Sequence, residues 1–188
     1  MDDVREIILK ALAVTAELTG TELSKTAARV FAEDLSSYPV DQVLGALTRC
    51  RREVKGKLSV ADVVSRLEDG RPGAEEAWAM IPRSEQESVV WTEEMSQAFG
   101  VCYRMIEAGD EIAARMAFKE AYTAAVNRAR NSAVPVKWIP SLGRDESLRA
   151  PALEAAVAKG RMLPERAQAL LPHLEISSVM LGHLPRLT

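Results

Sequence analysis

Apolar side chains recur along this chain at intervals of three and four, the spacing that gathers them on one face of a helix. From about Asp3 to Leu18, Val4, Ile7, Ile8, Ala11 and Leu12 define such a face, and Thr19-Gly20-Thr21 interrupts it. Acidic residues in that first turn suit the helix dipole. A second helix is predicted over about Leu23 to Ser36, with Leu23, Ala27, Val30, Phe31 and Leu35 in register. Tyr38-Pro39 ends it and opens a third, striped by Val40, Val43, Leu44, Leu47, Cys50 and Val54 and closed by Gly56. The fourth begins at a Ser59/Asp62 pair of capping-box type. Val60, Val63, Val64 and Leu67 follow, and Gly70 stands where a C-terminal cap belongs.

Beyond Gly70 the pattern weakens and then returns. Arg71-Pro72-Gly73 reads as a turn, Ala74 to Met80 as one or two helical turns, and Pro82 to Ser88 as polar chain. Trp78 and Trp91 flank this stretch as expected buried anchors. Thr92 is a candidate N-cap before Met95, Ala98, Phe99, Cys102, Met105 and Ile106. A long helix is predicted from Glu111 to Arg130, central because its seven alanines allow close approach by neighbours. Asn131 to Gly143, with Pro135, Trp138 and Pro140, should be extended or looped. Short helices follow over about Pro151 to Lys159 and Pro164 to Leu171.

These elements predict an all-α fold in which an N-terminal four-helix unit precedes a second helical unit. The expected division is a helical domain over 1–70, a connector over 71–90, a second helical domain over 91–172 and a tail over 173–188. β-branched alternation is nearly absent, so no sheet is expected.

Composition narrows the class. Of 188 residues, 47% are hydrophobic and 27% charged, which fits a globular chain and neither a disordered nor a collagen-like one. No apolar run approaches the ~20 residues of a bilayer crossing. The chain opens Met1-Asp2-Asp3, acidic where a secretory leader would be basic. Two cysteines, Cys50 and Cys102, suit a reducing compartment better than a disulfide scaffold. A cytoplasmic location without membrane association is therefore expected.

Net charge is −3 and unevenly distributed: residues 1–70 hold 10 basic and 12 acidic side chains, residues 71–130 hold 7 and 10, and residues 131–188 hold 7 and 5. Any nucleic-acid site must then be a local patch rather than a general field.

Few residues offer chemistry. Gly20 to Thr26 ends in Ser-Lys-Thr like a phosphate-binding loop. That loop needs a glycine before its lysine so that backbone amides can wrap the phosphate. Ser24 stands there instead, and no strand precedes it, so a helix start is the better reading. His173 and His183 have no Cys, Asp or Glu at metal-ligand spacing. Glu75-Glu76 and Glu93-Glu94 are adjacent pairs that diverge on a helix, which makes them solvated faces rather than acid–base couples. The cysteines are simplest as core thiols. No enzymatic activity, cofactor or metal is expected.

The strongest candidate site is basic. Arg49, Arg51, Arg52, Lys55 and Lys57 fall within nine residues, interrupted among charges only by Glu53. At 100° per residue, Arg52 lies roughly 140° and Arg49 roughly 200° round from Leu47, away from the apolar stripe. Such a patch can grip phosphates or an acidic protein surface. It can equally be a solvated helix end, where basic side chains complement the dipole. A second candidate is C-terminal, where Ile176, Val179, Met180, Leu184 and Leu187 could line one helix face and dock on a partner groove or on the chain itself.

Residues 22–70 carry a more specific pattern. Glu22-Leu23-Ser24-Lys25-Thr26, then Phe31, Leu35 and Tyr38-Pro39, lead into an amphipathic helix ending near Cys50, a basic turn, and Leu58-Ser59-Val60-Ala61-Asp62-Val63-Val64. This stretch resembles the N-terminal helical domain of phage replicative-helicase loader/inhibitor proteins, and Ser59-Val60-Ala61-Asp62-Val63 matches that family's final-helix motif best. The resemblance covers about a quarter of the chain. This sequence departs from the pattern in lacking prolines before Ser59, and residues 92–171 have no counterpart in it. The resemblance implies a non-enzymatic phage or prophage replication accessory protein that binds a ring-shaped replicative helicase, as loader or regulator. It carries over no helicase-contacting residues. The alternative from the residues alone is a DNA-binding or transcription-regulatory helical module using the basic patch. A purely structural phage component is a third possibility. Oligomeric state and the choice between loading and inhibition are left open.

Overall fold

The structure, a computed structural model, describes residues 2–172. His173, His183 and the C-terminal amphipathic run therefore lie outside the described residues. Among those described, the fold is mostly helical. It comprises α1 (Asp2–Leu18), α2 (Lys25–Leu35), α3 (Val40–Glu53), α4 (Val60–Val64), α5 (Ala74–Met80), α6 (Glu93–Glu107), α7 (Glu111–Asn131), α8 (Arg149–Ala158) and α9 (Pro164–Leu170). Two short strands, β1 (Val89–Thr92) and β2 (Trp138–Ser141), complete it.

The sheet corrects the all-α expectation. The strands pair antiparallel, with Val89 opposite Ser141 and Thr92 opposite Trp138. Each is only four residues long, and some fifty residues of chain separate them, so neither a hairpin turn nor an alternating run announces the pairing. Pro140 is tolerated because a two-stranded sheet leaves one edge of each strand free of ladder bonds.

The chain divides into two compact units. Among the described residues, the first comprises 2–71 and 126–135, the second 72–125 and 136–172. Of the 71–90 stretch, all but Arg71 falls in the second unit, and it carries α5. The last turns of α7 belong to the first unit, a return of the chain that no local pattern announces.

In the first unit, α1 packs on α2 and α3, and α4 packs on α2 and α3. Ile8, Leu12, Leu35, Val43, Ala46, Leu47, Cys50 and Val63 are fully buried in its core. Each large aliphatic side chain so buried contributes about 1.5–3 kcal/mol. The inner face of α1 differs from the expected one. Val4 and Ile7 are exposed, whereas Thr15 is fully buried and Ala16 nearly so. Thr15 can be buried because its hydroxyl donates to the Ala11 carbonyl at 2.8 Å. On α2, Phe31, Ala32 and Leu35 are inside while Val30 is more than half exposed.

Residues 65–71 and 126–135 are joined through one acid. Asp69 accepts from Arg130 Nη2 at 3.0 Å and from Arg71 Nη1 at 2.6 Å. Arg130 also donates to the carbonyls of Ser65 (2.8 Å) and Leu67 (2.9 Å), and its own carbonyl accepts from the Tyr38 hydroxyl at 2.7 Å. Burial pushes the Asp69 carboxyl up, but the hydrogen bonds and charge of Arg130, with the bonds from Arg71, outweigh it and hold the group below its ordinary value.

In the second unit, Trp78, Phe118 and Tyr122 form a buried aromatic row. Phe118 lies 5.5 Å from Trp78 and 5.8 Å from Tyr122, and the Tyr122 hydroxyl donates to the Pro72 carbonyl at 2.7 Å. Leu153, Ala156, Val157, Met162 and Ala167 pack with Val90 into a second cluster. On α7, Ala114 and Phe118 are inside while Ile112 and Met116 face solvent.

Candidate partner-binding site

The basic cluster straddles the end of α3 and the turn before α4. Glu53 is the last helical residue, and Val54 is already extended. Gly56 adopts φ +111°, a backbone region that residues with a Cβ rarely enter. The turn is then anchored at its exit: the Leu58 amide donates to Thr21 Oγ1 at 2.7 Å, and Leu58 itself is buried. Ser59 starts α4 with a complete capping box. Its hydroxyl accepts from the Asp62 amide at 3.2 Å, and Asp62 Oδ2 accepts from the Ser59 amide at 2.9 Å.

This frame sorts the five basic residues. Arg51 is committed to the fold. Its guanidinium donates to Thr15 Oγ1 at 3.0 Å and to Thr48 Oγ1 at 2.8 Å, latching α3 to α1. Arg49 is less than one-third exposed and pairs with Glu68, so it does not stand free on the outer face as the 200° placement suggests. Arg52, Lys55 and Lys57 are exposed, and none forms an ion pair among the described residues. Glu53, the one acid within the cluster, is engaged by Arg66 Nε at 2.8 Å. The turn therefore presents three positive side chains with their nearest sequence acid already neutralised.

A largely apolar groove of about 590 Å³ follows the turn in the same unit, lined by Leu23, Ala27 and Val30 from the α2 side and by Leu58 and Val60 from the α4 side, with Ser24, Thr26, Asp34 and Ser59 as its polar members. Ala27 and Val30 were expected in the core. They instead form one wall of this groove, because α2 turns Phe31, Ala32 and Leu35 inward. Val60 immediately follows the cap, and Leu58 immediately follows Lys57. An apolar groove followed in the chain by charged side chains suits a protein-binding surface, where apolar area supplies desolvation and charge supplies orientation and encounter rate.

The remaining candidates are placed less suggestively. Cys50 and Cys102 are buried, and burial pushes both thiols up, away from the reactive thiolate. Among the described residues no group of three or more His, Cys, Asp or Glu side chains is placed to hold a metal ion. No helix of the described residues is long and apolar enough to cross a membrane.

No family model, no curated protein and no solved structure matches this chain.

Proposed function

We propose that this chain is a non-enzymatic accessory protein of phage or prophage DNA replication that binds a replicative helicase, as loader or regulator, through its first unit. The observation that carries the reading is the pairing of the exposed turn Arg52, Lys55 and Lys57 with the adjoining apolar groove. A surface meant for DNA alone needs cations spaced along a phosphate backbone. Here the exposed cations of one turn lead directly through Lys57 into Leu58, which lines a largely apolar groove, and Arg49 and Arg51 are drawn into the fold, which suits an acidic and apolar protein surface better. The resemblance of residues 22–70 to helicase loader/inhibitor proteins supports a helicase as that partner.

The test is co-elution of the full-length protein with a purified hexameric replicative helicase on size exclusion, beside an anisotropy titration of labelled duplex and single-stranded DNA. A complex with the helicase and only weak, salt-sensitive DNA binding is expected. Tight DNA binding with no helicase complex would replace this reading by that of a DNA-binding regulatory module.

A further inference from the structure

The second unit holds a concavity of about 380 Å³ beside the end of β1. Three aromatic rings line it. Trp91 lies 5.3 Å from Phe99, and Phe99 lies 5.5 Å from Tyr103, with neighbouring rings tilted by 54° and 57°. Rings so tilted form the walls of a box rather than a flat stack. Trp91 is nearly buried, but Phe99 and Tyr103 are only half-buried.

The opposite wall is the 82–87 segment, which is strapped in place. The Arg144 amide donates to the Glu85 carbonyl at 2.9 Å, the Asp145 amide to Gln86 at 3.3 Å, and the Gly143 amide to Ser88 Oγ at 2.9 Å. A Cβ at Gly143 would collide with the Gln86 carbonyl, so only glycine permits the closeness of this strap. The concavity is therefore held open by backbone structure.

Its charge is negative. Glu85, Glu87 and Glu107 line it against one cation, Arg83. Arg83 is turned elsewhere, with its guanidinium 4.3 Å over the Trp78 ring and donating to the Trp78 carbonyl at 3.3 Å. Glu85 is paired with Arg144 at 2.8 Å. Glu87 and Glu107 form no ion pair among the described residues. Glu87 accepts from the Arg83 amide at 3.0 Å, and Glu107 stands close enough to raise the Tyr103 hydroxyl above its ordinary value. Each carboxylate retains further lone pairs to offer.

Aromatic faces attract cations through the ring quadrupole, and carboxylates beside them add charge and hydrogen-bond acceptors. Phosphates and carboxylic acids would meet like charge here. We propose that this concavity binds an organic cation, a guanidinium or alkylammonium group, enclosed by Trp91, Phe99 and Tyr103 and held at its rim by Glu87 and Glu107. The group can arrive as an arginine or lysine side chain on a polypeptide or as a free small molecule. The proposal lies wholly in the second unit and is independent of the helicase reading.

The test is an NMR titration of the ¹⁵N-labelled full-length protein, read at the Trp91 indole N–H. The probes are N-acetyl-arginine amide, its neutral isostere N-acetyl-citrulline amide, a blocked Gly-Arg-Gly tripeptide and tetramethylammonium. Saturable shifts with the cationic probes are expected, with citrulline binding about tenfold more weakly than arginine or worse. Tyr103→Ala should weaken arginine binding about tenfold, since one ring of three is lost. Glu107→Gln, which removes the charge and keeps the side chain's shape, should weaken it several-fold with no change in the melting curve. The tripeptide binding more tightly than tetramethylammonium assigns the site to a partner's side chain, and the reverse order assigns it to a small molecule. Equal shifts with arginine and citrulline, or no shift with any cation, would overturn the proposal whatever the variants do.

Discussion

Arg51 and Arg52 are neighbours of the same charge, and a single 100° step of helix separates their roles. Arg51 spans to Thr15 and Thr48, while Arg52 reaches into solvent. Arg51→Ala should lower unfolding stability by about 1–2 kcal/mol, the loss of charge-assisted bonds discounted for partial exposure. Arg52→Ala should stay within about 0.5 kcal/mol. Urea titrations of both variants check this, and equal midpoints would contradict the assignment. Asp69 gives a second prediction at this scale. Its folded carboxyl lies below the ordinary 3.8, so its stabilisation is present above that value and is lost as pH falls through the lower folded value. Asp69→Asn should therefore reduce stability at neutral pH and flatten its fall below about pH 4. A variant that keeps the wild-type acid slope would remove Asp69 from that account. The sequence revealed the basic cluster but not its sorting, because which arginine turns inward depends on where α1 places Thr15. It also gave no sign of the Asp69–Arg130 pair, whose members stand 61 residues apart.

At the scale of elements, what was legible is what is local. Ser59 with Asp62 and Thr92 with the Met95 amide are caps whose partners lie three residues away, and both occur as their spacing predicts. Ser59→Ala should destabilise the first unit by about 1 kcal/mol, measured as a lower melting midpoint. A five-residue helix has little else to set its start, so an unchanged midpoint would mean that packing of Val63 and Val64 alone determines α4. What was not legible depends on partners distant in sequence. The β1–β2 pair shows no periodicity long enough to read. On α1, a period-3.6 stripe predicts a face but not its centre: Val4 and Ile7 lie at its edge and stay wet, while Thr15 lies at its middle. The aromatic concavity was hidden for the same reason. Phe99 and Ile106 share the helical spacing of Met95 and Cys102, and only the strap at Gly143 shows that they border an opening.

At the scale of the molecule, the two units present surfaces of opposite character. The first offers an exposed basic turn beside an apolar groove, the second an aromatic opening rimmed by carboxylates. Each suits a partner of complementary charge. The division at residue 71, with 126–135 returned to the first unit, means that a fragment ending near residue 70 would lack Arg130, which ties Asp69, the Ser65 and Leu67 carbonyls and the Tyr38 hydroxyl of that unit together. Binding experiments therefore belong on the full chain. The most direct is the affinity of the full-length protein for a purified replicative helicase, wild type against the combined Arg52→Ala, Lys55→Ala and Lys57→Ala variant. Three exposed contacts at about 0.5–1 kcal/mol each predict a loss of roughly ten- to a hundredfold, with the helical spectrum and melting midpoint unchanged. Equal affinity of the two proteins for the helicase, or no binding by either, would contradict the account.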